Sequence, residues 1–329
     1  MRRQRQAGFI RGIVSVVLLV AAIWVALHRQ AVLDQFVVWR YTPTSAVSAI
    51  VKRAAFSPSG TFVFYASQPS LEGKTPFTSH CSRQEQGSVI LGCYKAQRIY
   101  VYNVTDARLD GVHEVTAAHE MLHAAYERLS DDERQKVNAL IEKEMAHNTD
   151  KRLKARLKLY EKTEPGQRDN ELHSILGTES AHLGSELEAY YQRYFTNRSA
   201  VTSLFAKYEG VFRQLETQQN ALVAELNSMG AEIKRRTTAY NLAITRLNAD
   251  ITAFNARASR QGGFTDEAAF AAARAELVQQ QQALEAQRAD LNRRIALYNS
   301  KRTELESLNL RAKELQNSLD STPSLVPQL

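Results

Sequence analysis

Ala118-His119-Glu120-Met121-Leu122-His123-Ala124 is the stretch on which the reading of this 329-residue chain turns. If it is helical, His119 and His123 stand four residues apart on one face. Both imidazoles can then reach one metal ion, with Glu120 one step round beside it. In a strand or loop the spacing would not bring both nitrogens to one ion. The flanks predict the helix. Thr116 reads as an N-cap, and Ala117 to Leu129 contains no Gly or Pro and is rich in Ala, Leu, Met and Glu. Ser130-Asp131-Asp132-Glu133 then supplies a capping box for the next helix, so this one is expected to end near Leu129. Upstream, His113-Glu114-Val115-Thr116-Ala117 begins the same way but lacks a second histidine, and it takes no metal role.

A catalytic zinc needs a third protein ligand and an open position for water. After the turn-like Thr163-Glu164-Pro165-Gly166 comes Asn170-Glu171-Leu172-His173-Ser174, which opens a further helix through Leu176. Over Thr116 to Ser174 the chain resembles the gluzincin, or thermolysin-like, metallopeptidases. In these one helix carries His-Glu-x-x-His and a later one an Asn-Glu-x-x-Ser run whose glutamate binds zinc. The resemblance implies a zincin-like catalytic domain holding Zn2+ through His119, His123 and Glu171. It also implies endopeptidase chemistry, in which Glu120 is the general base for a zinc-bound water attacking a peptide bond. It departs at Ile175, where the thermolysin pattern has an aspartate that orients a ligand histidine, so that partner is left open here. Glu179, and beyond it Glu186 or Glu188, are alternatives to Glu171. His173, Ser174 and His182 could serve around the ligands or at the transition state, and Tyr190 and Tyr191 as oxyanion donors. Each could equally be hydrogen-bonded or packed structure.

Protease sites of this kind hold a substrate backbone against an edge strand. Arg98 to Val104 is dense in β-branched and aromatic residues and reads as that strand, or as an interior one without a substrate role. Thr61 to Tyr65, entered through the turn Ser57-Pro58-Ser59-Gly60, and Ser88 to Leu91 would complete a small sheet.

Gly12 to Leu27 is sixteen residues without a charge, extended backwards by Phe9 and Ile10, which suits a transmembrane signal anchor at 9–27. Arg2, Arg3, Arg5 and Arg11 precede its core and should stay in the cytoplasm, leaving the remainder extracytoplasmic. The exit, Trp24-Val25-Ala26-Leu27-His28-Arg29, offers no small-x-small site for signal cleavage. Cys81 and Cys93 suit a loop-closing disulfide in an oxidising compartment, with two buried thiols as the alternative.

Beyond residue 200 apolar residues recur every seventh position, at Phe205, Phe212, Leu226, Ile233, Tyr240, Leu247 and Phe254, with Gln219 filling the series. A second series runs from Phe270 through Leu277, Leu284, Leu291, Tyr298, Leu305 and Ala312 to Leu319. Between them Gly262-Gly263 breaks the helix, and Thr265 or Asp266 can cap the next. Two long helices folded into an antiparallel coiled-coil hairpin are expected, with interchain pairing as the alternative. The hairpin could self-associate, dock an envelope protein or act as a spacer. Its polar faces mix both charge signs. This argues against a nucleic-acid surface despite the net charge of +7. Lys151 to Lys158 is a basic helical run that could face anionic lipid or simply water.

The expected class is therefore α+β, mainly α. The expected order is a basic tail at 1–8, the anchor at 9–27, a linker at 28–42 and the metallopeptidase-like domain at 43–200. The hairpin follows at 201–321, turning near 259–266, and then a flexible tail at 322–329. The expected activity is hydrolysis of a peptide or protein substrate. Two rivals remain: a zinc amidase acting on cell wall, and an envelope scaffold whose zinc site is vestigial or structural.

Overall fold

The computed structural model describes residues 17–20, 22–26, 28–81, 89–163 and 166–322. The basic tail at 1–8, Arg11, the first half of the apolar stretch, Ser88, the Glu164-Pro165 turn and nearly all of the tail at 322–329 lie outside them. Among the described residues the chain is mainly helical with one three-stranded sheet, the class expected. It divides into two units, residues 1–211 with 315–329, and Phe212–Glu314. Among the described residues no single helix is long and apolar enough to cross a membrane. Val17–Ala26 and Arg29–Arg40, bent 85° from each other, pass that test by length and composition only as a pair.

In the first unit the segment expected as a linker, 28–42, is largely a helix, α1 (Arg29–Arg40). It is fastened at two points. Arg128 donates to both oxygens of the buried Asp34 carboxylate at 2.9 and 3.0 Å, and the Tyr41 hydroxyl donates to the Pro69 carbonyl at 2.7 Å. The buried acid's partner lies 94 residues downstream, so the fastening could not be read from this segment alone. Helix α2 (Ser45–Arg53) starts at Thr44, whose hydroxyl accepts the Val47 N–H. Helix α3 (Pro58–Ala66) occupies the stretch expected as a strand at Thr61 to Tyr65. There Ser57 accepts the Gly60 N–H and Pro58 fills the first helical position, so start chemistry overrides the β-branched and aromatic run.

The sheet comprises β1 (Ser70–Glu72), β2 (Gly92–Lys95) and β3 (Arg98–Tyr102), with α4 (Lys74–His80) between the first two. Their order is β1-β3-β2, so β3 is the interior strand, parallel to β1 and antiparallel to β2. The interior alternative for Arg98 to Val104 is the one found, and the edges are β1 and β2, the latter starting at Gly92, just after the stretch expected to pair. Ala96 and Gln97, both at positive φ, make the two-residue turn between β2 and β3. A disulfide joins Cys81, at the end of α4, to Cys93 in β2.

After a 3₁₀ turn at Ala107–Leu109 comes α5 (Val112–Glu127), the centre of the unit. It begins at Gly111, whose φ of +106° turns the chain directly into the helix, so Thr116 lies inside α5 and is not its cap. Ala117, Ala118, Met121, Leu122 and Ala124 are fully buried, packed in one core with Ile99 and Val101 of β3. Each large side chain so buried contributes roughly 1.5–3 kcal/mol. Helices α6 (Asp131–His147), α7 (Lys151–Thr163), α8 (Arg168–Glu179) and α9 (Ser185–Tyr191) follow. The Ser130–Glu133 capping box opens α6 with both halves formed. In α7, Leu153 and Leu157 are buried while Lys151, Lys154 and Lys158 are exposed, so the three lysines of the basic run lie on the outer face of an amphipathic helix.

Helix α10 (Arg198–Ala258) begins in the first unit, with Arg198, Val201 and Thr202 buried, so the arm expected from residue 201 separates only after Val211. In the second unit α10 and α11 (Glu267–Leu319) run antiparallel: Gln219 donates to Asn309, Lys301 pairs with Glu225, and Arg236 reaches Asp290. Leu222, Leu226 and Leu308 share a small core with Leu215, Tyr298 and Leu305. The chain then re-enters the first unit, where Ser318 donates to Asp106 and Ser321 to the Ile90 carbonyl, both at 3.0 Å.

Candidate metal centre

His119 and His123 project from α5 and Glu171 from the first turn of α8. One ligand atom from each lies within 4.8 Å of the others, a group that could hold a metal ion. The two Nε2 atoms are 3.0 Å apart, His123 Nε2 is 3.4 Å from Glu171 Oε1, and His119 Nε2 is 3.7 Å from Glu171 Oε2. The convergence depends on how closely the two helices approach. A Cβ added to Gly177 in α8 would sit 2.4 Å from Leu122 Cδ1 and 2.8 Å from Tyr191 Cε1, so only glycine allows this packing. Arg198, itself buried, donates to the Leu176 carbonyl and holds the C-terminal end of α8.

Asn170 was not singled out by sequence reasoning. Its Oδ1 lies 3.0 Å from His123 Nδ1 and accepts that N–H, which leaves the Nε2 lone pair aimed at the other two ligand atoms. Asn170 Nδ2 donates to Gln167, which sets the orientation of the amide. The signal was available in the Asn-Glu pair, since the residue before Glu171 must share its end of α8. Ile175, where an orienting aspartate was sought, is a buried core side chain. Burial, and then the neighbouring His123, Arg156 and His173, hold His119 well below the ordinary histidine pKa. The imidazole is therefore neutral and can donate a lone pair. Two imidazole nitrogens 3.0 Å apart, beside a carboxylate, leave room for a proton or a cation between them.

Glu120 is nearly buried, next to His119, and the edge strand passes against it: a Cβ on Gly92 would meet Glu120 Oε1 at 2.8 Å and Thr116 Cγ2 at 2.6 Å. Glu179 is engaged elsewhere. It pairs with Arg156 at 2.7 Å, and burial pushes its carboxyl above the usual range against the pull of that arginine. Glu186 pairs with Lys143, and Glu188 with Arg198. His173 is fully buried, its Nε2 bonded to the Tyr190 hydroxyl at 2.9 Å, and Tyr191 donates to the His173 carbonyl at 2.6 Å. With Tyr126 and Tyr194 these rings form one aromatic cluster, and burial raises both Tyr190 and Tyr191. Ser174 is fully buried, and His182 is exposed after α8. The decoy Glu114 accepts from Arg53 at 2.8 Å. No family model, curated protein or solved structure matches this chain.

Proposed function

We propose that this chain is a zinc-dependent peptidase, held in a membrane by its apolar N-terminal segment, with His119, His123 and Glu171 as ligands and Glu120 as the proton carrier. The convergence of two imidazole nitrogens and one carboxylate carries the reading. Four-coordinate zinc, roughly 2.0–2.1 Å from its nitrogen and oxygen ligands, sets those ligands about 3.3 Å apart. The three separations of 3.0, 3.4 and 3.7 Å bracket that spacing. Three protein ligands is also the number found in catalytic zinc sites, whereas structural sites use four. When bound, zinc supplies Lewis acidity, which acidifies water and polarises a carbonyl. Glu120 holds the proton released from water and passes it to the leaving amine. Asn170 fixes the tautomer and tilt of His123. The outer edge of β2, beside Glu120, offers main-chain groups to an extended peptide.

Two observations support the location. Val17, Leu18, Leu19 and Val20 expose more than half of their surface, as lipid-facing side chains do, and the Cys81–Cys93 disulfide suits an oxidising compartment. In the second unit the buried or partly buried positions 215, 222 and 226 on one arm, and 291, 298, 305 and 308 on the other, follow the heptad of a coiled coil. Arms of 61 and 53 residues reach roughly 90 and 80 Å, a length that favours a positioning rod, or a scaffold if the site proves inactive.

The test is zinc content and cleavage of an unfolded protein for wild type, Glu120→Gln, Glu171→Ala and Glu179→Ala. One zinc per chain, lost only in Glu171→Ala, with cleavage lost in Glu120→Gln, is the expected result. Zinc retained by Glu171→Ala would overturn the ligand set. Turnover retained by Glu120→Gln would overturn the mechanism.

A further inference from the structure

Helix α1 carries a surface that nothing in the described protein covers. Arg29, Leu33, Phe36 and Arg40 recur at i, i+4, i+7 and i+11, so they form one line along the helix, with Trp39 flanking it. Leu33 is 47% exposed, Phe36 53% and Trp39 77%. In the first unit, from residue 28 onward, Val89 is the one other large hydrophobic residue so exposed among the described residues. The apolar exposure is thus gathered on a single helix face. The helix's one acid, Asp34, lies on the opposite face, clamped to Arg128. The outward line is therefore apolar in the middle and cationic at both ends, with the Arg40 guanidinium over the Phe36 ring.

From this geometry we infer that α1 lies in the plane of an anionic bilayer surface, with Leu33, Phe36 and Trp39 seated among the headgroups and Arg29 and Arg40 on lipid phosphates. The occupant follows from three observations. An amphipathic face bearing Trp, Phe and Leu between arginines is the composition of interfacial helices, whose apolar side sinks about 5–10 Å into the headgroup boundary. The uncharged stretch ending at Leu27 stops two residues before α1 begins, so an anchored chain delivers α1 at the membrane surface. The 85° angle between Val17–Ala26 and α1 suits a membrane-normal segment followed by an in-plane helix. This inference rests on the anchored reading above. It adds that the catalytic unit is held against the surface through the Asp34–Arg128 clamp and does not swing freely on a tether.

The chain has two tryptophans, so Trp24→Phe leaves Trp39 as the only indole reporter. The full chain in this background is reconstituted into vesicles of phosphatidylcholine and phosphatidylglycerol, three to one. Bromines are placed at shallow or deep acyl positions, and membrane retention is scored after an alkaline carbonate wash. The expected result is retention, with Trp39 emission shifted to the blue and quenched most by the shallow bromines. Leu33→Ser with Phe36→Ser should reduce that quenching, and Arg29→Gln with Arg40→Gln should make it indifferent to phosphatidylglycerol. Retained protein with unquenched Trp39 would overturn the in-plane docking and leave the anchor standing. Protein removed by carbonate but quenched beforehand would support the docking and refute the anchor. Removal without quenching would refute both.

Discussion

Replacing Gly177 with alanine tests the packing that assembles the site. A methyl carbon there would lie 2.4 Å from Leu122 Cδ1 and 2.8 Å from Tyr191 Cε1, against an optimum of about 3.5–4.0 Å. Neither neighbour can yield readily. Both are fully buried, and the Tyr191 hydroxyl is bonded to the His173 carbonyl. One of the helices must therefore retreat by about 1 Å, at the upper end of the roughly 1–3 kcal/mol typical of overpacking. Alanine recovers up to about 1 kcal/mol of helix propensity, so the net loss is about 2 kcal/mol. Gly210→Ala is the control. That glycine is also helical, but a Cβ would meet nothing within 4 Å, so the same substitution should stabilise by about 0.5–1 kcal/mol. Thermal unfolding followed by near-ultraviolet circular dichroism reads the tyrosine cluster beside Gly177. Gly177→Ala should melt roughly 4–8 °C lower. Because the same retreat carries Glu171 away from the histidines, zinc affinity should fall with it. A Gly177→Ala protein as stable as the parent, or one that binds zinc unchanged, would refute the packing argument.

Three further outcomes are expected. Arg128→Ala leaves the buried Asp34 carboxylate without its bidentate partner and should cost about 3–5 kcal/mol in denaturant unfolding, whereas a loss below about 1 kcal/mol would mark the pair as a surface contact. Asn170→Ala removes the acceptor from His123 Nδ1 and should weaken zinc binding about 10–100-fold by competition with a chelator, with the fold intact. His173 is held down to about 3, by burial first, so the unfolded chain takes up a proton before the folded one does as pH falls. With metal chelated, stability should therefore drop on acidification from about 6.5 toward 3, by up to about 1.4 kcal/mol per pH unit from this residue. His173→Gln should flatten that slope, and an unchanged slope would exclude His173 as its source.

The parts legible in the sequence are those whose cause is local. The four-residue histidine spacing, the Ser130–Glu133 box, the Gly262-Gly263 break and the seven-residue repeats act over a few turns of chain. What failed depended on distant partners or on weak signals. Thr61 to Tyr65 has strand composition, but Ser57 and Pro58 start a helix, and a cap is a stronger statement than a preference for β-branched side chains. The β2–β3 turn is Ala96-Gln97, without the Gly or Asn that such a turn favours, so the hairpin could not be read. That left β3 open between edge and interior, because its second neighbour, β1, is three residues long and pairs in parallel from far upstream. Asp34 lies in the stretch expected as a linker, and the partner that fastens it, Arg128, comes 94 residues later. The pairing of Glu171 with the histidines was legible as a motif. The glycine that lets their helices meet was not, since its role exists only against Leu122 and Tyr191.

The return of the chain into the first unit at Leu315 bears on how the protein assembles. Ser318 meets Asp106 at a sequence separation of 212, a contact that would be entropically costly to close through a flexible chain and slow to find. The paired arms shorten that search. Because α11 runs antiparallel to α10, the chain's end returns to the unit that α10 left. The two arms of the hairpin thus stand in for a long flexible loop, and bring Ser321 back to the Ile90 carbonyl just ahead of β2.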